Sequence, residues 1–248
     1  MVISFQFSVL RKLRNGSSRY RWFSKLTAEE AGRKAETLLA SLKEEEPQFS
    51  TRVAHSGMLD VPNAPMAPPI HLASTSTREA SGIYREGDSK YSRMDNPTRL
   101  LLQKNVFELE CIDLDLTPST EATTFAFSSG MMAVTSIILA HNSPVTIIVP
   151  SDIYHGVPTA LVEVFSRHSL KVRKVDMSEV SKVVDAICNS EKNSDVIVWM
   201  ETPSNPLCQI IDIKAICDAV KSISSHQVTT VVDVTMSSPV LTRPLRVS

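Results

Sequence analysis

Two kinds of apolar spacing divide this chain. Over residues 97–110, Leu100, Leu101, Val106, Phe107 and Leu109 recur at helical intervals, and Pro97 suits a first helical turn. Beyond them, short β-branched runs alternate with amphipathic stretches. The runs predict strands at 123–127, 145–149, 171–175, 196–200 and 228–234. The stretches between them predict helices at 129–142, 157–168, 178–189 and 213–225. The strands are almost continuously apolar, as expected where both faces of a sheet are covered. Repeated strand–helix units predict an α/β fold with a doubly wound, mainly parallel sheet and right-handed crossovers. Upstream, residues 27–46 read as an amphipathic helix opened by Thr27 with Glu30 three residues on. Residues 47–95 lack periodicity and carry Pro47, Pro62, Pro65, Pro68 and Pro69, which predicts an extended arm. An arm that long suits packing on a second subunit.

Charge adds one boundary. The chain is almost neutral overall, with 26 Lys+Arg against 27 Asp+Glu, so it offers no basic footprint for nucleic acid. Residues 1–28 nonetheless hold Arg11, Lys12, Arg14, Arg19, Arg21 and Lys25, interspersed serines and no acid. That composition fits an organelle transit peptide, with mitochondrion ahead of plastid. A disordered basic tail or a start codon placed too early would look the same. The domain reading is a leader at 1–28, a helix and arm at 29–95, and a large domain at 96–248. No apolar run reaches the ~20 residues that span a bilayer. The four cysteines (Cys111, Cys188, Cys208, Cys217) form no C-x-x-C pair and read as buried thiols, with no metal site among them.

Glycine narrows the chemistry. There are seven, none after Gly156, so neither G-x-G-x-x-G nor G-x-S-x-G can be written. Gly82 and Gly87 have Walker spacing, but Asp88 stands where a lysine is required. Dinucleotide dehydrogenases, P-loop NTPases and α/β-hydrolases lose their sequence support. In a parallel sheet the ligand sits at the carboxyl ends of the strands. The first run ends in Ser128-Ser129-Gly130-Met131, where a serine cap and a glycine let helix N–H groups approach an anion; the same pair also serves as a plain cap. The second ends near Asp152-Ile153-Tyr154-His155-Gly156, with an aromatic ring that could lie on a ligand or simply pack on the protein. His155 reads as a polar loop residue. The fourth ends in Glu201-Thr202-Pro203-Ser204-Asn205-Pro206, whose prolines hold the Asn205 amide in a rigid segment. The last carries Asp233 into apolar surroundings, which calls for a cation or a protonated nitrogen as partner. Tyr91 and Arg93, at the edge of the arm, offer a hydroxyl and a planar fork for phosphate; alone, Arg93 would pass for a surface salt-bridge residue.

Taken in order, Tyr-x-Arg, S-S-G-M, Asp-x-Tyr, E-x-P-S-N-P and D-x-T-x-x-x-P resemble the pyridoxal-phosphate enzymes of cysteine and methionine metabolism, the cystathionine synthase and lyase family. The resemblance runs from about Arg52 to Leu245. It implies a fold-type I large domain binding pyridoxal 5'-phosphate. Gly130 and Met131 match the amides that hold the cofactor phosphate. Tyr91 and Arg93 match the pair that reaches the phosphate of a neighbouring subunit. Tyr154 matches the residue stacked on the pyridine ring, and Asp233, followed by Thr235, the acid paired with its nitrogen. Asn205 matches the contact to the ring hydroxyl, with Glu201 just behind it. The resemblance also implies a small amino-acid substrate, no nucleic acid or membrane partner, and a homo-oligomer, a homotetramer in form.

The departures matter too. Val234 stands where the family writes Asn, and His155 where it often writes Gly. The family's Schiff-base lysine lies in Ser-x-Thr-Lys roughly two dozen residues beyond Asp233, whereas this sequence ends at Ser248 with no lysine after Lys221. No catalytic residue is therefore assigned, and the large domain is expected to be incomplete. The expected activity is replacement or elimination of a γ- or β-substituent on an amino acid, cystathionine γ-synthase foremost, inactive in this chain by itself. The alternative is a non-catalytic form that binds a full-length subunit through its arm.

Overall fold

The computed structural model describes residues 2–3, 48–55, 65, 67–83, 89–112, 114, 123–141, 144–166 and 169–247. The predicted leader and the helix at 27–46 lie outside these, apart from Val2 and Ile3. The chain divides into two units, residues 7–55 and the remainder. In the smaller unit the described part is a helix, α1 (Phe49–His55), where an extended arm was expected. Pro47 stands just ahead of it and no proline interrupts it, so the arm's punctuation begins later than the sequence suggested.

The larger unit is built on a parallel sheet. Its strands are β2 (Val145–Pro150), β3 (Leu170–Val175), β4 (Asp195–Glu201) and β5 (Val228–Asp233), in the order β5-β4-β2-β3. A two-residue strand, β1 (Val2–Ile3), pairs in parallel with the outer edge of β5. Every predicted strand from 145 onward is present, and all pairings are parallel. From β2 the chain steps to β3 on one side and returns to β4 on the other. This reversal makes the crevice where ligands collect in open α/β sheets.

The continuous apolar runs are explained by burial on both faces. Ile147, Val149, Ile197, Trp199 and Val231 point to one face, where they meet Val134, Ile137 and Ile138 of α3 (Gly130–Leu139) and Val157 and Leu161 of the next helical segment. Ile148, Val196, Val198, Met200 and Val232 point to the other. There they meet Val183 and Ile187 of α5 (Val180–Cys188) and Ile216, Cys217 and Val220 of α6 (Ile213–Lys221). Alternation along each strand thus feeds two cores, and neither side chain set is left for water. At the sheet's margin β3 has only half-buried and exposed positions, because only a central strand is covered throughout.

Three expectations differ. Residues 123–127 are not a strand: Phe125 is 56% exposed, and the Ala126 N–H donates to Gln103 Oε1 at 3.3 Å on α2 (Pro97–Glu110). Their β-propensity is overridden, and the segment lies along α2 instead of joining the sheet. The helix expected at 157–168 is a short α-helix, α4 (Gly156–Thr159), running into a π turn (Ala160–Val164) closed by the Phe165 N–H on the Ala160 carbonyl. The wider turn lets Leu161 and Phe165 both bury. Finally, Cys188 and Cys208 are exposed, and only Cys111 and Cys217 are buried thiols. Cys188 sits at the last turn of α5 on its solvent side, and Cys208 in the loop after β4, so neither reaches a core face. A last helix, α7, is Pro244–Val247. Among the described residues no helix is long and apolar enough to cross a membrane.

From the expected arm, residues 67–83 and 89–95 run without regular structure beyond an isolated antiparallel bridge between Thr75 and Tyr91. They are fastened to α2 at its start. Asn96 caps α2 by accepting from the Thr98 N–H at 2.9 Å and the Arg99 N–H at 3.4 Å. The same side chain donates to the His71 carbonyl at 3.2 Å, and the His71 N–H donates to Thr98 Oγ1 at 2.9 Å.

Candidate functional site

A cavity of about 370 Å³ opens at the carboxyl ends of β4 and β5, bounded by the start of α3 and the loops after β2 and β4. Its wall includes Gly130, Met131, Tyr154, Asn205, Asp233 and Thr235, together with Ser129, Trp199, Glu201 and Pro203. Six of the eight residues expected to bind the cofactor therefore come together from four separate segments. Tyr91 and Arg93 do not line it. Both are exposed, with the Arg93 guanidinium 5.1 Å from the centre of the Tyr91 ring.

The start of α3 is built for an anion. Ser129 has extended backbone (φ −159°, ψ 160°), and its hydroxyl accepts from the Met132 N–H at 3.2 Å. That cap satisfies one first-turn donor, and the Gly130 and Met131 amides precede it at the positive end of the helix dipole. A Cβ built on Gly130 would meet nothing within 4 Å, so the space beside these amides is open. This is the arrangement that receives a phosphate without a lysine.

Tyr154, 45% exposed, also lines the cavity. Its ring lies against Gly156, where an added Cβ would fall 2.4 Å from Tyr154 Cε1 and 3.1 Å from Met131 Sδ. Glycine at 156 thus admits the ring beside Met131. His155, next to it, faces its own helix: Nε2 lies 3.3 Å from Thr159 Oγ1. The imidazole is spent on a local contact and takes no place in the cavity wall.

Asp233 closes β5. Rather than being sunk in an apolar setting, it is half-buried, and one oxygen, Oδ1, accepts from the Thr235 N–H at 2.9 Å and the Thr235 hydroxyl at 2.6 Å. Thr235 orients the carboxylate, a task that the D-x-T spacing carries. The β4–β5 register sets Asp233 level with Glu201.

Glu201 is the residue whose weight the sequence understated. It is 3% exposed, and its carboxylate accepts from the Tyr154 N–H with both oxygens (3.1 and 3.0 Å) and from the Asn205 N–H at 2.7 Å. Burial holds its carboxyl above the ordinary carboxylate range. The two amides oppose that shift, and the charges of Asp233 and Asp152 add to it. A second fastening lies nearby on the same loops: Asp152 accepts from the Ser204 hydroxyl and from the Leu207 N–H at 3.1 Å. Both X–Pro bonds of the second loop, Thr202–Pro203 and Asn205–Pro206, are cis. Among the described residues no group of three His, Cys, Asp or Glu is placed to hold a metal ion.

The residues present suit pyridoxal phosphate by their chemistry. They offer open helix amides for a phosphate, an aromatic ring at the mouth, and a carboxylate held by a threonine for a protonated ring nitrogen. Comparison with known proteins agrees. Residues 50–248 match the model of the family described as Cys/Met metabolism PLP-dependent enzyme, PLP being pyridoxal phosphate. A putative cystathionine gamma-lyase 2 of Caenorhabditis elegans is 33% identical over 204 residues, 80% of this chain and 47% of that protein. A probable cystathionine gamma-synthase of Herpetosiphon aurantiacus is 32% identical over 197 residues, 79% of this chain and 56% of that protein. The crystal structure of cystathionine gamma synthase from Xanthomonas oryzae pv. oryzae, in complex with aminoacrylate and cysteine, superposes with a TM-score of 0.69 at 30% identity. It covers 82% of this chain and 49% of that one. The chain spans about half the length of the curated relatives it matches. With its parallel sheet, its strand-end cavity and these matches, the chain belongs to the Cys/Met metabolism PLP-dependent enzymes.

Proposed function

We propose that the cavity is a pyridoxal-phosphate site and that the protein belongs to transsulfuration chemistry of the cystathionine γ-synthase kind, in which a γ- or β-substituent of an amino acid is replaced or eliminated. The observation that carries the reading is the convergence of the α3 amides, Tyr154, Asn205 and Asp233 on one cavity. When bound, the cofactor supplies an electron sink for a carbanion, and that sink depends on a protonated ring nitrogen.

Each residue has a part set by its chemistry. The Gly130 and Met131 N–H groups hold the phosphate at the helix end. Tyr154 covers one face of the ring and excludes water there. Asn205 presents an amide to the ring edge. Asp233 keeps a proton on the ring nitrogen, with Thr235 fixing the carboxylate that does so.

The test is titration of the 248-residue chain with pyridoxal phosphate. Trp199 lines the cavity, so its emission should fall as the site fills. Asp233→Ala should weaken binding by about tenfold or more, the loss of one charge-assisted hydrogen bond. Undiminished emission in the unaltered chain, or equal affinity in Asp233→Ala, would overturn the reading.

Tyr91 and Arg93 favour a second, compatible reading. Their exposure away from this chain's own cavity suits residues that complete the cavity of a neighbouring subunit, whether a second copy or a full-length partner.

A further inference from the structure

Two loops must meet one ligand here, and they leave different strands. The loop after β2 carries Tyr154, and the loop after β4 carries Asn205. Loops of this kind are ordinarily the least constrained part of an α/β fold. In this molecule their backbones are joined at the site itself by a single side chain, Glu201, which takes the Tyr154 and Asn205 amides on one carboxylate.

A carboxylate is a costly choice for that position. It is 3% exposed, and two further carboxyl groups face it, Asp233 from β5 and Asp152 from the β2 loop. Burying a charge near like charges is unfavourable unless strong hydrogen bonds compensate. What a carboxylate provides that an amide cannot is acceptor capacity at both oxygens. A glutamine has one acceptor, and its NH₂ would oppose a backbone N–H. The Asp152 fastening does not substitute, because it holds the Ser204 hydroxyl and the Leu207 amide, not the amides of Tyr154 or Asn205.

We propose that Glu201 is the positioning residue of this site: its carboxylate sets the Tyr154 ring and the Asn205 amide at one fixed spacing, so that both reach a pyridoxal phosphate together. The assignment rests on the cofactor reading above. It makes Glu201 neither acid nor base toward a substrate. Its action passes through the two backbones it holds.

The experiment uses the 248-residue chain, pyridoxal phosphate as the probe, and two readouts besides activity. Trp199 emission gives affinity, and the circular dichroism induced in the cofactor's own absorption band gives the fixity of its orientation. Glu201→Gln should bind at least about tenfold more weakly, the loss of one hydrogen bond to a charged group. It should also lose most of the induced dichroism while its far-ultraviolet spectrum stays unchanged. Asp152→Asn, which alters the other fastening and removes a like charge near Glu201 but none of the hydrogen bonds that Glu201 accepts, should stay within about twofold of the unaltered chain. Unaltered affinity and dichroism in Glu201→Gln would overturn the assignment and leave the cofactor reading standing. No binding by the unaltered chain would overturn the cofactor reading and this assignment with it. Should Glu201→Gln not fold, the unaltered chain decides. In a pH titration the ¹⁵N–¹H signals of Tyr154 and Asn205 should move with one shared midpoint above the ordinary carboxylate range. Separate midpoints, or no movement, would overturn the assignment.

Discussion

Gly156 shows how little room surrounds the aromatic side of the cavity. A methyl group there would fall 2.4 Å from Tyr154 Cε1 and 3.0 Å from Cζ, closer than carbon atoms approach. The backbone itself has no objection, since Gly156 opens a helix without a left-handed φ and alanine is a good helix former. Stability and binding should therefore separate. Gly156→Ala should unfold at an equal or slightly higher temperature, yet bind pyridoxal phosphate about fivefold or more weakly because the Tyr154 ring is displaced. Thermal unfolding and Trp199 titration on the same preparation check both halves. Equal affinity would mean that the ring's present place does not matter to the ligand. Tyr154, Asn205 and Asp233 could be picked out from strand ends alone. Glu201 could not be given its weight, because the sequence does not say which backbone amides a buried carboxylate will meet.

Elements in this chain follow their local signals wherever a neighbour is available to accept them. Asn96 and Pro97 open α2 where their types say a helix should begin, and Ser129 does the same for α3. Asn96 does more than cap, since its amide also ties residue 71 to the helix. Asn96→Ala should cost about 1–2 kcal/mol in urea unfolding and speed proteolytic cleavage within residues 67–75. An unchanged urea midpoint would remove the cap from the account. Residues 123–127 are the counter-case. They have strand composition, but strand pairing is a property of two segments, and here the Ala126 amide goes to Gln103 on α2 instead of to a strand. The π turn after α4 was equally invisible, because an i→i+5 bond is selected by which side chains must bury.

Across the larger unit, distant segments meet at the far end of α2. There Arg243 donates to the Ile112 carbonyl at 2.9 Å, and Glu110 is 6% exposed with neither carboxylate oxygen hydrogen-bonded. Burial raises the Glu110 carboxyl from 4.5 to about 7, partly offset by the charge of Arg243. A carboxyl with a raised folded-state value favours the folded state fully below its unfolded value. That advantage is lost as pH climbs through the folded value. Stability should fall between about pH 5 and pH 7 by between about 1 and 3 kcal/mol from this group, and level off above. Glu110→Gln should flatten that segment of the pH profile and be the more stable protein at pH 8. Urea unfolding across pH checks it, and an identical slope in both proteins would exclude Glu110 as the cause.

What the amino-acid order determined by itself is the set of local decisions. It indicated where α2 and α3 start, that the apolar runs from residue 145 onward are parallel strands, which fold class follows, and which strand ends bring side chains to the cavity. These are legible because caps, periodicity and turn residues act over a few positions. Tertiary structure decided the rest. It placed Glu201 level with Asp233 through the β4–β5 register, and it joined the Tyr154 and Asn205 loops on one carboxylate. It also placed Tyr91 and Arg93 away from this chain's own cavity. Such facts depend on which segments become neighbours after the chain has closed its sheet. No spacing along the chain encodes the distance between two loops that fold back over it.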